Sequence, residues 1–421
     1  MSTEALIGAR PLNTSGALRA LFRTNTLVFS AANGLLPLLP LYLRTRGLTP
    51  FVVGLVLATA YMAMACGVLL NARLSAAHQS RRHVTVAAGC GGLALCGLGL
   101  PLAPWALALL LIGAWACLGV LTATVNAAVT SWSWSAGHAS AFSTVSLAAP
   151  LGALCGGLVL AFCVDRAGYE VAFIVAGCAW LAAPLCWPQR SAPGAAFSTI
   201  GLPPAGLHAR LRPLIAVAVL LMSAVFAGRM AFSLRIDAAG LPVRAVGEVS
   251  ALGGLVMLLL LPLIGRIADR VGQRRVLAAL ALSAALGCGL LAMAQQWALF
   301  ALAGVLLAIA AYGAGAISCA YAAELAPPGG AGRAVMYVTA AFWGAAVVSF
   351  AGAGALADLL GLRALVMICA VLALAAAALL GRAPVAASAP RSALPASQGQ
   401  APPPTTTAPA SARPVDRRPG R

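Results

Sequence analysis

The chain contains no lysine: all 27 of its basic residues are arginine, and only nine acids stand against them in 421 residues. Charged residues make up 9% of the chain, aromatic residues 6% and hydrophobic residues 62%. A water-soluble domain normally carries charge on about a quarter of its residues. So few charges exclude a soluble globular fold, and the mean hydropathy of +0.95 places the chain in a lipid bilayer. The formal net charge of +18 would suit nucleic acid in a soluble protein. No basic run is interleaved with aromatics on a foldable polar element, so nucleic acid is excluded as a partner. No CxxC pair occurs among the eleven cysteines, which all lie in or at the ends of apolar stretches. They read as small core residues, neither a disulfide framework nor a metal site. No span or loop assembles a nucleophile with a base, a metal cluster or a phosphate loop, and Gly97 and Gly99 inside an apolar stretch make no dinucleotide site. The chain is therefore not read as an enzyme, and it implies no cofactor.

What is present is a repeat. Shifted by 193 positions, Gly47, Leu48 and Gly54 fall on Gly240, Leu241 and Gly247; Arg81 and Arg82 fall on Arg274 and Arg275; Asp165 and Gly168 fall on Asp358 and Gly361. One offset serves all three regions, so the two halves share one order of spans and loops. Parallel repeats of apolar bundles are a common plan of secondary transporters.

A helix needs about 20 apolar residues to cross the hydrocarbon core. Twelve stretches qualify: 24–43, 51–71, 84–102, 105–131, 141–164 and 169–188 in the first half, then 213–236, 246–265, 276–294, 297–323, 334–357 and 362–381. The expected fold is an all-α membrane protein with twelve transmembrane helices in two pseudo-symmetric six-helix bundles. Its expected parts are an N-terminal cytoplasmic segment (1–23), bundles at 24–188 and 213–382, a linker (189–212) rich in Pro and Gly, and a disordered Ala/Pro/Ser/Thr-rich tail (383–421). The first span has full length and lacks a cleavage site, so it reads as an uncleaved anchor. With the N-terminus inside, fifteen arginines fall on inner segments and six on outer loops. That bias sets both termini in the cytoplasm of a bacterial-type inner membrane.

Residues Gly265 to Leu277 read GRIADRVGQRRVL between spans 8 and 9. A tight connection calls for glycine where backbone room is short, here Gly265 and Gly272. Asp269 is set among Arg266, Arg270, Arg274 and Arg275, and its carboxylate can pair with them or cap a helix N-terminus. Through Gly265, Ala268, Asp269, Arg270, Gly272, Arg274 and Leu277 the loop resembles that of the major facilitator superfamily. The twelve-span layout extends the resemblance over about residues 20–382. It implies alternating access and a cytoplasmic gate latch at Asp269 and its arginines, Arg275 included. The first-half copy departs from the pattern, with Ala72, Ala76 and Gln79 where the second half has Gly265, Asp269 and Gly272. His78 and His83 in that loop read as solvated polar residues. In span 5, Ala149, Pro150, Gly152, Gly156 and Gly157 look like a loosened form of a motif common in the family's exporters, which points to efflux.

Ionisable groups at membrane depth default to functional hypotheses, and Arg229 is the clear one. It lies 16 residues beyond Pro213, about 24 Å at 1.5 Å per residue, so it either snorkels to the outer surface or holds an anionic or zwitterionic substrate. Asn33, Tyr61, Trp115, Asn126, Ser223, Tyr312 and Trp343 lie on the spans that line the cavity in the family and are candidates for the pocket wall. Proton coupling asks for a carboxylate inside the bundle. None of the nine acids is near a span centre, leaving Glu248 and then Asp237 as candidates; Asp165 and Asp358 read as turn formers. The expected function is a monomeric secondary transporter exporting a small organic molecule, with protons as a candidate coupling ion. A facilitated carrier or anion exchanger using Arg229 is the alternative, and a non-transporting receptor or scaffold the alternative of another class.

Overall fold

A computed structural model describes residues 14–74, 80–132, 145–188, 207–326 and 331–382. The helices are α1 (Thr14–Leu35), α2 (Leu39–Thr45), α3 (Pro50–Leu74), α4 (Ser80–Gly97), α5 (Pro104–Trp132) and α6 (Ala148–Ala182) in the first half. The second half has α7 (Leu207–Ala238), α8 (Val243–Val271), α9 (Gln273–Met293), α10 (Trp297–Leu325) and α11 (Ala331–Arg382). In hydrocarbon every peptide group must be satisfied within its own segment, which is why uniformly apolar runs settle as helices. Prolines open α3 and α5, at the position where the missing N–H costs nothing.

Among the described residues eight helices are long and apolar enough to cross a membrane, nine when α1 and α2, bent by 46°, count as one broken span. Two of the eight are far longer than one crossing. The 35-residue α6 and 52-residue α11 each contain one residue off helical geometry, Gly168 (φ 84°, ψ 173°) and Gly361 (φ 82°, ψ 162°). Only glycine adopts that region readily, so each long helix is two crossings joined at a single-residue turn. Gly47 (φ 80°) and Gly240 (φ 72°) form a second equivalent pair of turns. Both pairs are 193 residues apart, so the repeat seen in the sequence is a repeat of backbone geometry. Helix α4, whose Arg81–Arg82–His83 start lowers its hydropathy, takes the third place in the order of spans.

The turns at Gly47, Gly168, Gly240 and Gly361 lie at one end of the bundle, here called the hairpin end; the opposite end carries Arg81, Arg82, Arg274 and Arg275. Without a hydrophobic drive between helices in lipid, close backbone approach does the packing. In the first half Gly67 and Gly119 are each pressed on the other helix's carbonyl, Met64 and Ala116 supplying the oxygens. A Cβ on Gly34 would lie 2.6 Å from the Gly156 carbonyl carbon, and one on Gly92 would lie 2.9 Å from the Gly177 carbonyl oxygen. Polar groups are spent inside the same half: Trp180 Nε1 donates to the Val28 carbonyl at 3.0 Å and Tyr42 Oη to the Leu98 carbonyl at 2.6 Å.

The two main seams between the halves are α3 with α11 and α6 with α8, and α2 also touches α7. The first seam closes tightly toward the hairpin end, and the second closes both there and deeper in the bundle, where Pro150 lies near the start of α6. A Cβ on Gly354 would stand 2.5 Å from the Pro50 carbonyl oxygen, and Gly54 is pressed on the Phe350 carbonyl. On the other seam a Cβ on Gly157 would lie 2.9 Å from the Gly247 carbonyl oxygen, and one on Gly254 would lie 2.5 Å from that of Pro150. The Phe51 N–H donates to Asp358 Oδ2 at 2.9 Å, so the first seam is also clasped by a hydrogen bond.

Several expectations change here. Gly265 lies within α8 with open space around its Cβ position, and the tight turn is made by Gly272 alone (φ 94°). Helix α1 begins at Thr14, inside the segment expected to precede the first span, because nothing in Thr14–Arg23 breaks a helix. Helix α7 likewise begins at Leu207, inside the expected linker. Of the eleven cysteines only Cys288 and Cys369 are buried, and Cys66, Cys90, Cys155 and Cys178 are exposed on the apolar outer faces of their helices rather than in a core. His78, residues 141–144, most of the linker and the tail lie outside the described residues.

Candidate functional site

Between the halves is a cavity of about 40 Å³. A water needs roughly 10–15 Å³ measured this way, so in this state it has room for a few waters and not for an organic substrate. Its walls are apolar except at Arg229, Ser250 and Tyr312. Helix α7, the most buried of the spanning helices, carries Arg229 into the cavity. Tyr312 of α10 lines the same cavity as Arg229. No carboxylate reaches the guanidinium: among the described residues the one ion pair is Arg244 Nε with Glu248 Oε1 at 2.7 Å, at the hairpin end.

Aromatic rings form one wall. Tyr61 stands 5.1 Å from Phe350, 5.5 Å from Phe226 and 5.9 Å from Trp343, measured between ring centroids. Phe350 lines the cavity, so Tyr61 and Trp343 stand behind its wall rather than in it. Trp115 is fully buried. The remaining candidates are placed elsewhere. Asn33 Nδ2 donates to the Ala149 carbonyl at 3.0 Å and ties α1 to α6, Ser223 is half-buried, and Asn126 is exposed on α5.

The first half contributes a broken helix. Leu36, Pro37 and Pro40 line the cavity where α1 stops and α2 starts. Leu36 is the residue that the 193-position shift places on Arg229. Pro37 and Pro40 were legible in the sequence as two prolines inside an apolar span, the standard signal for a bend, and this was the feature missed.

The carboxylates expected to couple protons lie away from the cavity. Glu248 is held by Arg244 beside Phe162, and Asp237 is exposed at the hairpin end. At the opposite end Asp269 is exposed and, among the described residues, makes no hydrogen bond or ion pair. Arg270, Arg266 and Arg275 are likewise recorded without a partner there. Arg274 instead donates to the Leu380 and Gly381 carbonyls at the C-terminus of α11, at 2.5 and 3.0 Å, where a cation meets the negative end of a helix. Gln273 Nε2 donates to Glu324 Oε1 at 2.6 Å and fixes α9 to α10.

The family model of the major facilitator superfamily matches residues 21–242 and again 214–415. The chain belongs to the major facilitator superfamily. Its fold is that of solved transporters of this family. The nucleoside transporter NupG, as a D323A mutant, superposes with a TM-score of 0.72 at 14% identity, covering 86% of this chain and 99% of its own. The human organic anion transporter MFSD10 gives 0.66 at 16% identity, covering 88% and 100%. A bacterial homologue of the human lysosomal transporter Spinster, in an inward-facing and unoccupied conformation, gives 0.65 at 14% identity, covering 88% and 97%. No curated protein matches the sequence. A secondary transporter with a small-molecule substrate, integral to a membrane and not an enzyme, follows from the family. At these identities the neighbours speak for the fold alone.

Proposed function

We propose that this protein carries small organic anions, carboxylates above all, by alternating access, with Arg229 as the anchor for the negative group. The observation that carries this reading is a guanidinium in a largely apolar cavity with, among the described residues, no carboxylate partner. A desolvated charge is costly unless paired, and a substrate anion supplies the missing partner. Tyr312 is placed to donate to the same anion once the guanidinium is engaged. Ser250 adds a hydroxyl.

The moving parts are the bundles 24–188 and 213–382, joined by the 189–212 linker and acting as a monomer. The hairpin end is the outer face and the arginine end the cytoplasmic face of a bacterial-type inner membrane, with both termini inside. In this assignment the present state is closed to the outside, and Asp269 with Arg270, Arg274 and Arg275 is the cytoplasmic latch in its released state. That accounts for an Asp269 without a partner. The direction proposed is export, on the Pro150 to Gly157 run of α6, whose glycines pack against both α1 and α8. Proton linkage through Glu248 or Asp237 draws no support from their positions, and the cavity favours uniport or anion exchange.

Thermal stability of the purified protein tests the anchor, since a ligand that binds the folded state raises the melting temperature. Benzoate and hexanoate should stabilise it and their neutral amides should not, and Arg229→Ala should erase the difference. Equal stabilisation by acid and amide would reject the anion reading.

A further inference from the structure

Resting on that reading of Arg229, the geometry points to a second half of the site: we propose that the substrate is a zwitterion whose ammonium group is bound by backbone carbonyls at the break between α1 and α2. Proline has no N–H to give. Pro37 therefore deprives the Asn33 carbonyl of its helical donor, and Pro40 does the same to the Leu36 carbonyl. No substitute is recorded among the described residues: the Leu36 N–H bonds to the Ala32 carbonyl at 3.0 Å and the Leu38 N–H to the Leu35 carbonyl at 2.8 Å, bypassing both acceptors. A backbone carbonyl left unpaired in a buried setting is an exception that calls for a partner. Of the two residues, Leu36 lines the cavity, together with Pro37, Pro40 and Arg229.

The repeat supplies an independent reason to join the two features. Leu36 and Arg229 are equivalent positions of the two halves, 193 residues apart. The first half thus offers acceptors at the place where the second half offers a cationic donor. A carboxylate alone engages only α7 and leaves the carbonyls of α1 bare. A zwitterion engages both halves at once and draws them together around itself, which is what occlusion in an alternating-access carrier requires. Interrupted helices at mid-membrane, with unwound carbonyls facing a cationic group, are a recurring way to build such a site. Apart from Ser250 and Tyr312 the rest of the wall is apolar, so the body between the two charges is aliphatic.

The test uses the purified full-length protein and three matched series: 4-aminobutanoate, 5-aminopentanoate and 6-aminohexanoate; butanoate, pentanoate and hexanoate; and the corresponding amines. Affinity is read by thermal shift across a concentration range. In the wild type at least one amino acid should bind about tenfold or more tightly than its own deaminated acid, equivalent to about 1.4 kcal/mol. Pro40→Ala restores an N–H to the Leu36 carbonyl and should shrink that ratio toward one while acid binding persists. Arg229→Ala should lose acids and amino acids alike. Acids binding as tightly as amino acids in the wild type would overturn the zwitterion site and leave the anion anchor standing, as would a preference unchanged in Pro40→Ala. No binding by any of the acids or amino acids would reject the anchor and the zwitterion site together. Should Pro40→Ala fail to fold, the wild-type comparison of acid with amino acid still decides.

Discussion

Replacing Gly354 with alanine should shift the carrier away from the state in which the hairpin end is closed. The new Cβ would stand 2.5 Å from the Pro50 carbonyl oxygen and 2.9 Å from the Phe51 Cα, whereas ordinary contact begins at 3.4 Å. Both neighbours are backbone atoms, so no side chain can swing aside, and α3 and α11 must move apart by about 0.9 Å. Overpacking of this kind costs about 1–3 kcal/mol. The penalty falls only on the state in which the seam is closed, so the ratio of states should change by about 5- to 150-fold. Hydrogen exchange read by mass spectrometry provides the assay. The Phe51 amide, bonded to Asp358 across this seam, and the first turn of α3 should exchange faster in Gly354→Ala than in the wild type. Gly344→Ala on the same helix meets open space and should change nothing. Exchange in α3 that is the same in both variants would refute the argument that close backbone approach holds the seam.

Three further outcomes follow from the same geometry. Asp358→Ala removes the acceptor of the Phe51 N–H, worth about 0.5–2 kcal/mol as a helix cap, and should raise exchange in the first turn of α3; Asp165→Ala, without a recorded bond among the described residues, should not. Gly168→Ala and Gly361→Ala force a side chain into a conformation only glycine tolerates, costing about 1–3 kcal/mol each, and should lower the melting temperature in detergent where Gly89→Ala does not. Glu248→Gln should leave the response of flux to an imposed pH gradient unchanged, and loss of that response would put Glu248 in the coupling path.

The helical order, the repeat and the family could be read from residues because they depend on spacing. Gly47 with Gly240, and Gly168 with Gly361, keep their 193-residue separation from sequence to backbone. The motif loop was half legible: Gly272 makes the turn, but Gly265 continues α8, since a glycine in an apolar helix carries no local signal of a bend. Which face of a helix looks inward was not legible. Spans that are apolar all round have no polar stripe to fix their rotation, so the place of Arg229 in the cavity wall, the exposure of Asn126 and the use of Asn33 as a tie to α6 emerge only from packing. Asp358 illustrates the same limit over a long range. It reads locally as a turn former, yet its carboxylate bonds an amide 307 positions away.

The most direct test of the account is flux through the purified protein reconstituted in liposomes, measured with a radiolabelled carboxylate chosen by the stability screen. Counterflow against unlabelled substrate requires neither a known direction nor a known coupling ion. The account predicts counterflow in the wild type and its loss in Arg229→Ala, with the variant still folded and monodisperse. Counterflow of the same carboxylate at an undiminished rate in Arg229→Ala would contradict the claim that this arginine holds the substrate.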